Sequence, residues 1–418
     1  MNPNAKGWLR KYCESIDSDI SVYGQLSLSN YEKAMYRMLQ PTGIMYGHPV
    51  GDLGTTVQLT DNLDPVGRMK LIYTESLIRT GSLSLDKNHP SIDGSQITEH
   101  LVPEISDYFL NLYPDLYQGK TTSYLKNPYY LAENIIGKRI AIQSSLVKNY
   151  LANLFHNSML FLDVYFFGEW VSGLGSASSK RINEEKEQLR LTILGIMALA
   201  AQADSKLQKE ERALFEFFLQ SANLSPNLEK QARSMFVNMK GFSVEDIPMV
   251  DSWLLRKYLM EMAILVTWAD RKLHEQEHKF IERLGNKLGF MPDEISESML
   301  AVESFVLDNW SAMHYLLGKH NLELVGSRFK VRLKGFINKN KDYVVQEIRE
   351  SKELFYLLGK SRTNSLTILE KNIVNEQLID ILKTIPTFII IALPFTFITL
   401  PVLLSLLPKT AFPSAFQE

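Results

Sequence analysis

The chain has 418 residues, of which 45 are basic and 47 acidic, so the formal net charge is −2. This balance excludes a global positive field, and we expect no nucleic-acid partner. The length allows two or three domains with sizeable cores. Cys13 is the only cysteine, which excludes an internal disulfide framework and indicates a reducing compartment. The first twenty residues lack an apolar h-region, so we predict no secretory signal.

Tyrosine is concentrated at the beginning of the chain. Fourteen of the 18 tyrosines lie in residues 1–171, where helical spacing recurs in segments such as ITEHLVPEISDYFLNLY. Pro and Gly interrupt this region, so we predict an irregular, mainly helical domain. The tyrosines either line a binding groove or lie half-buried in the core with their hydroxyls hydrogen-bonded, and the second interpretation is favoured. The small residues of SGLGSASSK (172–180) predict a linker.

An internal repeat follows the linker. LGIMALAAQADSKLQKEERALFEFF is similar to MEMAILVTWADRKLHEQEHKFIERL, 66 positions later. Each copy predicts an apolar helix, a turn at an aspartate, and a second helix with glutamates in its first turn. Stacking the two helix pairs buries apolar faces that neither pair buries alone.

This repeat resembles the TerB-like family associated with tellurite resistance, over roughly residues 187–300. The resemblance implies an all-helical fold with two similar halves. We also expect protein partners at this module. It also implies a divalent cation held by the turn acids, which here are Asp204, Glu211, Asp270 and Glu277. Ser205 and Arg271 stand where family members have glycine. The alternative is that each aspartate caps the helix that follows it, and we favour that alternative.

The sequence HEQEH, from His274 to His278, fits the pattern of zinc hydrolases. That chemistry needs both imidazoles on one helix face and a third ligand beside a cleft. The equivalent stretch of the first copy is QKEER, which has no ligand character, and no third-ligand motif follows downstream. We therefore predict that the chain is not an enzyme and needs no cofactor.

Basic residues are concentrated in RFKVRLKGFINKNK, residues 328–341, which contains no acidic residue. Such a run is typical of a solvated helix face or loop. Because an apolar segment follows it, the run also suits contact with anionic lipid headgroups. The candidate lipid-contact residues are Arg328, Lys330, Arg332 and Lys334.

The C-terminal region contains a run without charge, from Thr384 to Pro408, that is long enough to cross a hydrocarbon core of roughly 30 Å. We predict one proline-kinked transmembrane helix that forms homo-oligomers through a stripe of prolines spaced seven apart. The alternative is a re-entrant hairpin that turns near Pro394 and leaves both ends on one side. The preceding basic run favours a cytoplasmic location for the bulk of the chain. The prolines are Pro386, Pro394, Pro401 and Pro408.

The last seventy residues, from about Arg349, resemble the mitochondrial leucine-zipper/EF-hand transmembrane (LETM-like) family. LIDILKTIPTF, ALPFTFITLPVLLSLLPKTAFPSAF and the proline spacing carry this resemblance. It implies cation/proton exchange, organelle volume control and ribosome contact. Phe397 stands where the family has an acidic residue. Beyond the position of Glu418, the last residue of this sequence, members of the family continue into a domain that contacts the ribosome. The combination of both resemblances is similar to bacterial proteins associated with biofilms.

The patterns together predict an all-α, multi-domain protein with a C-terminal transmembrane helix. We expect a non-enzymatic scaffold or regulatory protein, tethered to a bacterial inner membrane, whose partner is the lipid bilayer and whose role concerns cation homeostasis or biofilm formation. The alternatives are a component of a cation/proton exchange system and, more remotely, a zinc hydrolase. The predicted segments are an N-terminal domain at 1–171, a linker at 172–180, the TerB-like repeat at 181–310, a basic helical connector at 311–383, and the membrane segment with its short tail at 384–418.

Overall fold

The computed structural model shows two compact units. The first unit comprises Met1–Thr267 and Leu273–Leu288, and the second comprises Trp268–Lys272 and Gly289–Glu418. All regular elements of the described residues are helices, which confirms the predicted all-α class. The structure describes residues 2–20, 31–49, 63–88, 96–114, 127–144, 155–173, 179–202, 209–237, 242–269, 275–385 and 399–412.

The first unit contains the helices of the N-terminal region and most of those in the internal repeat. Two 3₁₀ turns, Gln40–Thr42 and Ile44–Tyr46, follow the second helix. The α-helices are α1 (Trp8–Ile20), α2 (Tyr31–Leu39), α3 (Pro65–Asn88), α4 (Ile97–Leu112), α5 (Pro128–Ser144), α6 (Leu160–Val171), α7 (Ser179–Gln202), α8 (Lys209–Ala222), α9 (Pro226–Val237), α10 (Trp253–Ala269) and α11 (Glu275–Lys287).

Helix α3 lies at the centre of the first unit. Residues 71–85 are all buried, because α4, α5 and α6 pack around this helix. A helix buried on all sides has no polar face, so its sequence lacks a simple amphipathic period. The approach of α3 to α6 is close at Gly168, where an added Cβ would lie 2.7 Å from Cγ2 of Thr80. Glycine is therefore required there by packing.

The repeat segment packs directly on the N-terminal region. Helix α7 contacts α4 as well as α8 and α9, so the first helix of the predicted 181–310 segment lies against a helix of the predicted 1–171 domain. Of the predicted linker, residues 174–178 lie outside the described part of the chain, and α7 already begins at Ser179. The domain boundaries stay predictions.

In the second unit the helices follow one another closely. The helix Ile368–Thr384 (α16) begins with a capping box, in which Thr367 Oγ1 accepts from the Glu370 amide at 3.3 Å and Glu370 Oε2 accepts from the Thr367 amide at 2.9 Å. The helix Pro292–Asp308 (α12) packs on the helix Trp310–Lys339 (α13), and the three helices that follow α13 pack on one another. The α-helices are α12 (Pro292–Asp308), α13 (Trp310–Lys339), α14 (Lys341–Glu350), α15 (Lys352–Thr363), α16 (Ile368–Thr384) and α17 (Leu400–Leu406).

The prediction of one continuous kinked helix from 384 to 408 is wrong for the described part of that range. Helix α16 ends at Thr384, and Ile385, which precedes Pro386, has φ −59° and ψ 120°. Helix α17 ends at Leu406, and Leu407, which precedes Pro408, has φ −66° and ψ 141°. A proline disfavours helical backbone in the residue before it, so both helices stop one residue earlier.

Pro401 does not kink a helix either. It lies in the first turn of α17, where the missing amide costs no helical hydrogen bond. Leu403 and Leu406 of α17 are buried, and α17 packs on α13 and α16. Within the described residues, none of the helices is both long and apolar enough for a membrane crossing. The other residues predicted for the membrane segment lie outside the described part of the chain and are Pro386, Pro394 and Phe397.

Candidate functional site

A buried carboxylate, that of Asp163 on α6, lies where several helices of the first unit meet. It receives two cations, because Arg139 Nε on α5 lies 2.7 Å from Asp163 Oδ2 and Lys186 Nζ on α7 contacts Asp163 Oδ1. Two hydroxyls also donate to it, Tyr73 Oη at 3.1 Å and Tyr113 Oη at 3.2 Å. All four acceptor positions of the carboxylate are thereby engaged.

Further hydroxyls extend these contacts to α4 and along α7. Tyr108 Oη donates to the backbone oxygen of Asp163 at 3.1 Å and accepts from Lys186 Nζ at 3.2 Å. Tyr113 Oη accepts from Arg190 Nη2 at 3.4 Å. We name this set the Asp163 network, and its members are Tyr73, Tyr108, Tyr113, Arg139, Asp163, Lys186 and Arg190.

The cations of the network determine the protonation of Asp163. Burial acts to raise the pKa of its carboxyl, but Arg139 and then Lys186 lower it, and the pKa lies well below its usual range. A carboxylate that stays ionised and fully hydrogen-bonded is a poor general base. The arrangement is instead suited to joining α3, α4, α5, α6 and α7.

A second buried carboxylate joins the start of the chain to the repeat. Glu261 on α10 accepts from Tyr36 Oη at 2.5 Å and from Tyr46 Oη at 2.7 Å, and Lys257 Nζ lies 3.8 Å away. Burial outweighs these partners and raises the pKa of Glu261. Glu32 caps the same helix, because its Oε2 accepts from the Trp253 amide at 2.7 Å.

The second unit contains one comparable pair among its described residues. Glu303 on α12 is fully buried and contacts Arg332 on α13, while its Oε2 has no hydrogen-bond partner within the described part of the chain. Burial raises the pKa of Glu303 to about 7, against the opposing effect of Arg332 and Arg328. Arg332 is thus engaged inside its own unit, whereas the predicted lipid contacts Lys330 and Lys334 are exposed on α13.

The structure leaves the predicted metal sites untested. His278 on α11 has a side chain that is 53% exposed, and its Nε2 lies 3.9 Å from Glu282 Oε1. Among the described residues, no three histidine, cysteine or acidic side chains gather in a way that would hold a metal ion. Cation and zinc binding therefore stay predictions. The other candidate ligands lie outside the described side chains and are Asp204, Glu211, Asp270, His274 and Glu277.

The interpretation of the tyrosines as core residues is confirmed for several of those that the structure describes, but sequence reasoning did not identify their charged partners. Tyr36, Tyr46 and Tyr73 are buried with their hydroxyls hydrogen-bonded, as predicted for core tyrosines. One signal for the Asp163 network was present, since Asp163 is the only charged residue of the apolar stretch MLFLDVYFFG. A lone carboxylate inside an apolar helix requires buried cationic partners.

Comparison with known families identifies one region. Residues 190–300, from α7 into α12, match the family model described as Tellurite resistance protein TerB. This region is a TerB domain. The match confirms the predicted resemblance of the repeat, and it places Glu261 and its helix α10, which Glu32 caps, inside the TerB domain. Comparison with curated proteins and with solved structures gave no match. The LETM-like resemblance of the tail, with the cation exchange that it implies, stays a prediction.

Proposed function

We propose that the protein is a non-enzymatic helical scaffold that holds a TerB domain at a membrane surface. The observation that supports the scaffold is the set of polar ties between the N-terminal helices and the TerB domain. Glu32, Tyr36 and Tyr46 all bind α10 through its backbone or through Glu261. Buried polar groups that are used in this way stabilise a fixed arrangement of helices rather than react with a substrate.

The membrane part of the proposal rests on the charge-free run from Thr384 to Pro408. Helices α16 and α17, which flank residues 386–398, pack on each other within the second unit. Both ends of that stretch are therefore held by the same body, which favours re-entrant insertion over a single crossing. A stretch of this length is too short to cross the bilayer as a helix, but it reaches into one leaflet.

The test is fractionation of cells that express the full chain with a tag at either end. We expect the protein in the inner-membrane fraction, with both tags cleaved by protease from the cytoplasmic face. Ile390→Asp should move most of the protein to the soluble fraction, because a charge at membrane depth costs about 2.5–3.5 kcal/mol. Leu369→Asp is the matched control, since Leu369 lies exposed on α16, outside the basic run 328–341. A full-length protein that is soluble, or a C-terminal tag protected from cytoplasmic protease, contradicts the proposal.

A further inference from the structure

Helix α13 of the second unit has one buried side and one exposed side. The buried side packs on α12, and its residues are Val325, Phe329, Leu333 and Ile337. The opposite side is exposed, and an added Cβ at Gly335 would meet nothing within 4 Å in the described part of the chain apart from its own helix. We name this side the α13 face, and its residues, spaced at helical intervals, are Leu324, Ser327, Val331, Gly335 and Asn338.

The α13 face is uncharged along its centre and bordered by cations. Val331, at the centre, is 72% exposed, which is unusual for an aliphatic side chain on a solvent-facing helix surface. Lys330 and Lys334, four residues apart, border one side and are both exposed. Arg328 and Lys339, eleven residues apart and therefore also in line, border the other side. An apolar centre between basic borders is typical of helices that lie in the plane of a membrane surface.

The positive charge of this helix is only partly balanced by its neighbours. Between Glu323 and Asp342 the sequence contains six basic residues and no acidic one. Two of the six contact carboxylates of α12, because Arg332 contacts Glu303 and Lys339 contacts Asp293. No ion pair of Lys330 or Lys334 occurs among the described residues. These two lysines therefore leave the border of the α13 face positively charged, which suits a negatively charged surface.

We propose that the α13 face docks on an anionic lipid surface, with Val331 in the headgroup region and with Lys330 and Lys334 against the lipid phosphates. The apolar centre favours a lipid over a nucleic acid, which would meet cationic or polar side chains there. Helix α17, which follows the charge-free run, packs on α13, so the face and the run belong to the same unit. The inference rests on the proposed membrane location of this unit and specifies the class of lipid.

The experiment measures flotation of the full chain with vesicles of phosphatidylcholine alone and with vesicles that also contain phosphatidylglycerol. We expect tighter binding to the anionic vesicles, and a loss of that difference at high salt. Lys330→Gln with Lys334→Gln should weaken binding to anionic vesicles about 30-fold, because each basic residue near such a surface contributes about 1 kcal/mol. Lys180→Gln with Lys230→Gln is the matched control, since it removes two exposed lysines of the first unit and should leave binding unchanged.

A second measurement reports the position of the apolar centre. Val331→Cys, labelled with a fluorophore that responds to polarity, should shift to the blue when anionic vesicles are added. Leu369→Cys on α16 is the matched control, because Leu369 is similarly exposed but lies outside the α13 face, and its label should not shift. The native Cys13 is buried and should stay unlabelled in the folded chain.

Ile390→Asp separates this inference from the proposed function. It should abolish binding to neutral vesicles but retain the part of anionic-vesicle binding that depends on Lys330 and Lys334. Equal binding of Ile390→Asp and the unaltered chain to neutral vesicles contradicts insertion of the charge-free run, not docking of the α13 face. Docking is overturned if the double lysine variant binds anionic vesicles as well as its control does, or if the label at position 331 does not shift. It is also overturned if the same lysines bind an oligonucleotide and no vesicle.

Discussion

The two units bury a carboxylate in opposite electrostatic settings. In the first unit Asp163 receives two cations and two hydroxyls, and its pKa lies well below the ordinary value of 3.8. In the second unit Glu303 contacts the guanidinium of Arg332, its Oε2 has no hydrogen-bond partner among the described residues, and its pKa is raised from 4.5 to about 7. Burial is nearly complete in both. The number of partners therefore decides which charge state each core prefers.

This difference gives the two carboxylates opposite contributions to the pH dependence of stability. Because the folded pKa of Asp163 is depressed, its stabilising contribution is present above pH 3.8 and is lost as the pH falls through the folded pKa. Because the folded pKa of Glu303 is raised, its contribution is fully present below pH 4.5 and is lost as the pH rises through about 7. Acid should therefore remove the contribution of Asp163, and mild alkali that of Glu303.

The largest effect is expected from Asp163→Asn, which removes the countercharge of the first core. Arg139 and Lys186 then remain buried without a carboxylate, which should lower the free energy of unfolding of the first unit by about 3–5 kcal/mol. Urea unfolding followed by hydrogen exchange of α5, α6 and α7 measures this change. Glu185→Gln on α7 is the control, since the Glu185 side chain is 45% exposed and should cost under about 0.5 kcal/mol. A loss as small for Asp163→Asn as for the control would contradict the ionic account of this core.

The second prediction concerns the pH response of Glu303. Between pH 4.5 and 8 the helices α12 and α13 should lose about 3 kcal/mol of protection, as expected for a pKa raised from 4.5 to about 7. Glu303→Gln cannot ionise, so this loss should disappear. Hydrogen exchange of α12 and α13 from pH 4.5 to pH 8, corrected for the intrinsic exchange rate, measures it.

The control for this measurement is Glu323→Gln, because Glu323 is an exposed residue of α13. It should keep the pH response of the unaltered chain. The same response in Glu303→Gln and in Glu323→Gln would show that another group governs the second core.

Sequence patterns predicted the helical class and the TerB domain because both depend on local spacing. The apolar helix, the turn and the acidic first turn occur twice, and Asp204 and Asp270 mark equivalent positions. The proline pattern was misread for the same reason. Spacing placed Pro401 and Pro408 on one helix stripe, whereas local backbone rules put one in a first turn and the other after a helix end.

The buried networks were not predictable from a single chain, because their partners are far apart in sequence. Tyr36 and Glu261 are 225 positions apart, and Tyr73 and Asp163 are 90 apart. The central position of helix α3 was not predictable either, since residues 71–85 are buried on every side and show no amphipathic period. Only the general requirement that buried polar groups find partners was available, and it indicates that a partner exists without identifying it.

The smallest effects are expected at Glu261. Its hydrogen-bond donors are two neutral hydroxyls, whereas Asp163 is held by two cations. Tyr36→Phe or Tyr46→Phe should each lower the free energy of unfolding of the first unit by about 1–2 kcal/mol, since each removes one hydrogen bond to a buried carboxylate. Tyr356→Phe is the control, because Tyr356 is 67% exposed. It should have almost no effect in the same urea measurement.

The double variant makes the comparison sharper. With one tyrosine left, Glu261 still accepts one hydroxyl. Removing Tyr36 and Tyr46 together leaves Lys257, 3.8 Å away, as the polar partner of Glu261 among the described residues. The double loss should therefore exceed the sum of the single losses by about 0.5 kcal/mol or more. Strict additivity would mean that the two hydroxyls act independently, and that the tie between residues 31–46 and the TerB domain is not a shared network.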